Sequence, residues 1–464
     1  LESKRLGHYR PWIRDQRLMR PYQLSEALEK LLHEKHVAGR AAWVRLFDET
    51  MTGLRFGVGG GQFTLEETLH LLSEKDQGTR AEAAKALTAT FEDNLRLFAH
   101  VTNTLAKDKA IEDGWRGLPT PEHGRHLANQ VEPEVVGALH ESVVEAYPRL
   151  SHRYYRLKAR WLGQPVLDHW DRNAPLPEDD DRVVPWEAAR EIVLDAYGEF
   201  SSEMRAIGER FFEAGWIDAP LRPGKTSGAF SHPTVPSAHP YILLNYQGKT
   251  RDVMTLAHEL GHGVHQILAA EQGALMAETP LTLAETASVF GEQLAFRSML
   301  DAESRPERRK AMLAQKVEDM LNTVVRQIAF YDFELRLHRE RAEAELLPER
   351  IGEIWLAVQS ESLGPAIRLG ADYANYWCYI PHFIHSPFYV YAYAFGDCLV
   401  NSLYAVYREA EPGFQDKYLE MLRAGGTLRH SELLAPFGLD AGDPGFWRQG
   451  LKVIEGFIDE LEDL

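Results

Sequence analysis

Cysteine is nearly absent: the 464 residues hold two, Cys378 and Cys398, and neither sits in a CxxC spacing. A disulfide framework or a thiolate metal site is therefore excluded, and at most one bridge is open to the chain. A reducing, cytoplasmic compartment is the expectation. Long apolar runs are missing too. The longest patches, such as YILL at 241–244, have strand length, far below the roughly 18 apolar residues of a membrane span. Positive charge is the minority sign, with Lys+Arg 51 against Asp+Glu 69 and a formal net charge of −18. That balance argues against nucleic acid or an anionic membrane as partner, because phosphate binding needs clustered Lys and Arg. No signal peptide and no initiator Met stand at the start, which reads LESKRLGHYRPW.

β-type segments are scarce as well, and helical periodicity fills the chain. RPYQLSEALEKLLHEK predicts a helix entered at Ser25. Thr64 with Glu67, and Thr79 with Glu82, carry the capping-box spacing. A helix is expected from about Trp186 to Phe212. The stretch RPERRKAMLAQKVEDMLNTVVRQIAFYDFELRLHRERAEAELL predicts the longest one. NAPLPEDDDRVVP, residues 173–185, reads as a surface loop or lobe junction. Between 221 and 250 Gly, Pro and Ser break the helices, and PYILLNY reads as a short strand. The expected fold is mainly α with one small β-sheet.

Chemistry concentrates in TLAHELGHGVHQ, residues 255–266. Positions four apart share one helix face, so His258 and His262 can offer two imidazole nitrogens to one ion. Glu259, beside the first histidine, can reach a water without binding the metal itself. The competing reading is an amphipathic helix with two ordinary histidines. Three features weigh against it. Thr250 or Asp252 can cap the helix. Gly261 leaves one position small, as a close helix crossing requires. The segment TPLTLAETASVFGEQLAF, 279–296, predicts a second helix on which Glu285 and Glu292 share a face. One can complete a His2Glu set and the other can hydrogen-bond a ligating histidine. His265 does not fit a third-ligand spacing and reads as a structural residue. Tyr389 and Tyr393 are four apart and share a face from which a hydroxyl can reach a developing oxyanion; Tyr391 points elsewhere.

HELGHGVH followed by LAETASVFGE resembles the oligoendopeptidase F branch of the thimet-oligopeptidase-like zinc metallopeptidases. The resemblance extends to SGAFS with PYILLNY, to IPHFIHSPFYVYAYAFGD at 380–397, to LRAGGTLRHSELLAPFGLDAGDPGFW, and more weakly to RPYQLSEALEKLL and LFDE. It implies a two-lobed helical fold around a deep channel. Residues 1–55 would end an N-terminal helical region whose earlier part lies outside this chain, and 56–464 would form the catalytic domain, with a zinc core at 226–300 and a substrate segment at 376–397. It further implies one zinc ion on His258, His262 and Glu285, and Glu259 as the residue that polarises water. His382 with one or more of Tyr389, Tyr391 and Tyr393 would contact the substrate and the oxyanion. The spacing from His382 favours Tyr391 among them.

The expected activity is endopeptidase cleavage of short unfolded peptides, with PYILLNY pairing with the extended substrate and residues 228–231 lining its path. A zinc carboxypeptidase of similar form, and a non-catalytic peptide-binding protein with structural zinc, are the alternatives. Structural zinc sites are usually closed by four protein ligands, often cysteines, which disfavours the last.

Overall fold

Gly and Pro occur at ordinary levels, and the structure gathers many of them between long helices. The computed structural model describes residues 4–176, 183–226, 228–409 and 412–464. The longest helix is Gln77–Arg116. Asp76 caps it by accepting the Thr79 N–H at 2.7 Å, and Gly117, at φ 73°, ends it in the left-handed conformation that glycine adopts without strain. The helix thus starts upstream of Thr79, capped by Asp76 without a capping box, whereas the box at Thr64 and Glu67 is present in both its hydrogen bonds. Ser25 directly precedes the helix Glu26–His36.

Two expected long helices are broken. The first divides at Ser201 into Trp186–Phe200 and Ser202–Glu213, with the Ser201 hydroxyl accepting the Met204 N–H. The second divides at Val324 into Pro306–Thr323 and Val325–Glu343. Neither break carries Gly or Pro, so helical periodicity ran through both; the one local signal is Ser201, a residue type suited to capping a new helix.

The fold is mainly α, as expected, but strands form three small sheets among the described residues where one was expected. A hairpin pairs Phe56–Val58 with Gly61–Phe63, and Leu167–Asp168 pairs in parallel with Ile367–Arg368. The sheet that matters for the site has three strands, with Tyr241–Leu243 in the middle, Ile217–Asp218 parallel on one side and Phe230–His232 antiparallel on the other. The expectation that PYILLNY itself receives a peptide is therefore corrected. Both its edges are filled from within the chain, and the outer edges of the sheet belong to Ile217–Asp218 and Phe230–His232, the latter beside the histidine helix.

The core is one continuous apolar cluster running from Phe47 to Leu461. Cys378 and Cys398 are buried, free thiols within it. No described helix is long and apolar enough to cross a membrane. Of the loop predicted at 173–185, residues 177–182 lie outside the described residues.

Candidate metal centre and peptide site

The histidine helix, Thr250–Ala269, begins just after Gly248, which turns the chain at φ 90°. Lys249 holds the N-cap position. Asp252 works from the first turn, reaching back to accept the Gln247 N–H at 2.8 Å and the Lys249 N–H at 3.0 Å. Val253, Leu256, Ala257, Leu260, Val264 and Leu268 form the buried stripe that anchors it. Gly261 sets its approach to the next element. A Cβ there would stand 2.5 Å from the Ala287 carbonyl oxygen and 2.7 Å from the Ser288 Cα.

The second segment is not one helix. A single turn, Leu281–Ala284, stops at Glu285, and a new helix runs Thr286–Ala302. Glu285 sits at the junction with φ −79° and ψ −1°. From there its carboxylate Oε2 lies 3.3 Å from His258 Nε2 and 3.5 Å from His262 Nε2. One donor atom from each of the three residues falls within 4.8 Å of the other two. Three donors aimed at one point, two imidazoles and a carboxylate with no thiolate, suit a zinc ion and leave a coordination position open. The Ser288 hydroxyl donates to Glu285 Oε2 at 2.6 Å and fixes its orientation.

Glu292 takes the other side of His258, with Oε2 3.3 Å from Nδ1. Its Oε1 is 2.5 Å from Nζ of Lys316, a buried lysine on the helix Pro306–Thr323. Sequence reading missed Lys316. Its signal was present: the residue falls among Leu313, Val317 and Met320 on the apolar face of its helix, where an unpaired ammonium would be costly.

The electrostatics of this cluster favour positive charge. Burial alone would depress the His258 imidazolium, yet hydrogen bonds and charge from Glu285 and Glu292 raise it to about 10. Burial would raise both carboxylates. Instead His258 with His262 holds Glu285, and Lys316 with His258 holds Glu292, each at about 2. A divalent cation among His258, His262 and Glu285 would meet the Glu285 carboxylate, with Glu292 on the far side of His258. Glu259 differs: it is buried, burial pushes it up to about 7, and its opposing contacts are the His258 charge and the Ser231 backbone N–H. Such a value suits a group that takes and returns protons near neutral pH. His265 is buried, kept neutral by burial at about 4, and sits against Thr279, Leu283 and Thr286.

The tyrosine segment divides into two groups. His382 Nε2 lies 3.1 Å from the Tyr393 hydroxyl, and the Tyr389 ring stacks on the His382 ring with centroids 5.7 Å apart. All three are half-buried. Tyr393 lies within the field of Glu285, and Gly396, one turn on, packs against the Glu285 side chain, where a Cβ would meet Glu285 Cβ at 3.1 Å. Tyr391 is placed elsewhere, which corrects its preference by spacing. It is fully buried, and its hydroxyl bonds the Asn129 amide at 2.9 Å and His126 Nδ1 at 3.1 Å.

A cleft of about 450 Å³ opens on His258 and Glu259, and Gly228, Ala229, Asn245, Arg251 and Asp319 line it further out. The edge strand Phe230–His232 runs beside it, tied to the histidine helix through Ser231 and Gln266.

Fold and site together define a mainly helical HExxH protein with a three-donor metal cradle beside an open cleft. The family model described as Peptidase family M3 matches residues 70–453, and the chain belongs to that family. A second model, Oligopeptidase F, matches residues 1–56. Similar curated proteins include the oligoendopeptidase F homolog of Lactococcus lactis subsp. lactis (strain IL1403), 29% identical over 399 residues, covering 85% of this chain and 65% of that protein. Oligopeptidase PepF of Bacillus subtilis (strain 168) is 26% identical over 473 residues, covering 100% of this chain and 70% of that protein. This chain thus spans 65% of the length of the Lactococcus protein. Among solved structures, oligoendopeptidase-F from Enterococcus faecium matches the fold with a TM-score of 0.79 at 24% identity, over 100% of this chain and 79% of that one.

Proposed function

We propose that the chain is a zinc-dependent endopeptidase hydrolysing internal bonds of short unfolded peptides. The observation that carries this reading is the pairing of a buried carboxylate, Glu259, with three converging metal-type donors, of which His258 lines the cleft beside Glu259. A zinc ion on His258, His262 and Glu285 would supply Lewis acidity and make a water acidic enough to lose its proton near neutral pH. Glu259 accepts that proton as the water attacks the peptide carbonyl and returns it to the departing amine.

Tyr393 and His382, with Tyr389 stacked behind, present donors on the side of the tyrosine helix that faces Glu285. They stabilise the charge developing on the carbonyl oxygen. Extended substrate adds to the open edge of Phe230–His232, and main-chain pairing gives affinity without strong side-chain preference. Membership of an M3 peptidase family and the oligoendopeptidase names of its relatives support a peptide substrate.

The test is cleavage of a quenched short peptide with both termini blocked, before and after chelation, beside Glu259→Gln. Internal cleavage that stops on chelation and returns with zinc supports the reading. Release of terminal residues alone, and only from unblocked peptides, would make it a carboxypeptidase. No cleavage by the zinc-loaded chain would leave a peptide-binding protein.

A further inference from the structure

A buried carboxylate outside the metal centre underlies the loop that carries His382 and Tyr389. Glu334, on the helix Val325–Glu343, is 1% exposed. Its Oε1 accepts the Phe388 N–H at 2.8 Å. Its Oε2 has no partner among the described residues and faces an enclosed space of about 20 Å³, also lined by Trp377, whose indole N–H is likewise unpartnered. The space is mostly apolar and has room for about one water beside Glu334 and Trp377.

Phe388 is unusual in its own right. It stands at φ 60°, a left-handed conformation that a bulky residue keeps only when its surroundings impose it. It is fully buried, with its ring against His338 and Tyr331. The next residue is Tyr389, whose ring stacks on His382 and lies 5.2 Å from that of Tyr393.

Other side chains hold the same loop by its carbonyls. Arg40 donates to Ile384 and His385, and Arg125 donates to Pro387 while its guanidinium lies over the Tyr389 ring. Those carbonyls lie nearer the surface, where water can substitute for a guanidinium. The Phe388 amide points into the core, and Glu334 is its acceptor.

We propose that Glu334 is a positioning residue: by holding the Phe388 amide in its left-handed conformation it aims Tyr389, and with it His382 and Tyr393, at the reacting bond. The inference rests on the reading of that cluster as substrate-facing.

The experiment compares Glu334→Gln and Glu334→Leu in the full zinc-loaded chain by two readouts: hydrogen–deuterium exchange over residues 386–393 and steady-state kinetics. The Gln amide oxygen can still accept the Phe388 N–H, so exchange stays slow and kcat stays within about twofold. Leu offers no acceptor. Exchange in the segment then rises about tenfold, and kcat falls about tenfold or more while KM and zinc content hold. Should the Leu variant not accumulate folded, Glu334→Asp, one methylene too short to reach, is expected to change in the same direction. Unchanged exchange in Leu or Asp overturns the proposal. So does raised exchange with unchanged kcat, or a Gln variant as impaired as Leu. If the unaltered zinc-loaded chain cleaves no peptide, the functional reading fails, and the exchange data alone decide whether Glu334 fixes the loop.

Discussion

His258 is gripped from behind by Glu292: Nδ1 and the carboxylate are 3.3 Å apart, and the second carboxylate oxygen is 2.5 Å from the buried Lys316 ammonium. This chain fixes which nitrogen of His258 faces the cradle. Glu292→Gln and Lys316→Met are each expected to weaken zinc binding about 10–100-fold, the usual effect of losing an outer partner of a ligating histidine. Competition against a chelator of known affinity measures it. Variants that hold zinc as tightly as the unaltered chain would remove Glu292 and Lys316 from the account.

Glu259→Gln keeps the size and burial of the side chain but cannot carry the proton. Zinc content should stay at one per chain while kcat falls about 10²–10⁴-fold. Elemental analysis and single-turnover cleavage check the two halves. Substantial residual turnover would assign the proton to another group.

Gly261→Ala tests the helix crossing. The added methyl would stand 2.5 Å from the Ala287 carbonyl oxygen, against backbone that cannot swing aside. Overpacking of this kind costs about 1–3 kcal/mol. Because the crossing also sets the distance from His258 to Glu285, loss of thermal stability and loss of zinc should appear together in one variant.

The two tyrosine groups predict opposite phenotypes. Tyr393→Phe removes a hydroxyl 3.1 Å from His382, and kcat should fall about 10–10³-fold with stability little changed. Tyr391→Phe leaves His126 and Asn129 without their shared buried partner. It should cost about 1–3 kcal/mol of stability and leave kcat nearly intact. Thermal melts beside kinetics separate them, and a reversed pattern would return Tyr391 to the site.

Much of the centre was legible because a helix converts sequence spacing directly into geometry. His258 and His262, four apart, land on one face as periodicity requires, whereas Glu285 reaches them from a break between two helices that periodicity did not foresee, and Glu292 meets His258 from its other side. What periodicity could not supply was the packing between helices. The preference for Tyr391 came from counting along the chain, whereas its partners His126 and Asn129 arrive from more than 260 positions away. The strand PYILLNY was legible, but whether its edges were free depended on Ile217–Asp218 and Phe230–His232 pairing with it. The breaks at Ser201 and Val324 carry no Gly or Pro; the first is marked only by the capping Ser201, and Val324 carries no such residue.

Glu334 gives the fold a pH dependence of known sign. Burial raises its carboxyl from 4.5 to about 8, against the Phe388 N–H and the charges of Arg125 and Lys109; His338, one turn on, is kept neutral by burial, as is the Cys378 thiol across the cavity. Between pH 4.5 and 8 the folded chain binds this proton more tightly than the unfolded chain. Stability from this group is therefore full below about pH 4.5 and falls as pH rises towards 8, by up to about 1.4 kcal/mol per pH unit. Glu334→Gln removes the effect. Urea midpoints at pH 5 and pH 8.5 should show the variant gaining on the unaltered chain at the higher pH. A constant difference would place the carboxyl in its ordinary range.

The central claim is a zinc ion held by His258, His262 and Glu285 with one position open. X-ray absorption at the zinc edge, on the full chain loaded with one equivalent, tests it most directly. The account predicts two imidazole nitrogens and light oxygen neighbours at about 2.0–2.2 Å, with no sulfur shell, and a weaker imidazole signature, from one ring, in His258→Ala. A sulfur neighbour, or an identical spectrum from His258→Ala, would contradict it.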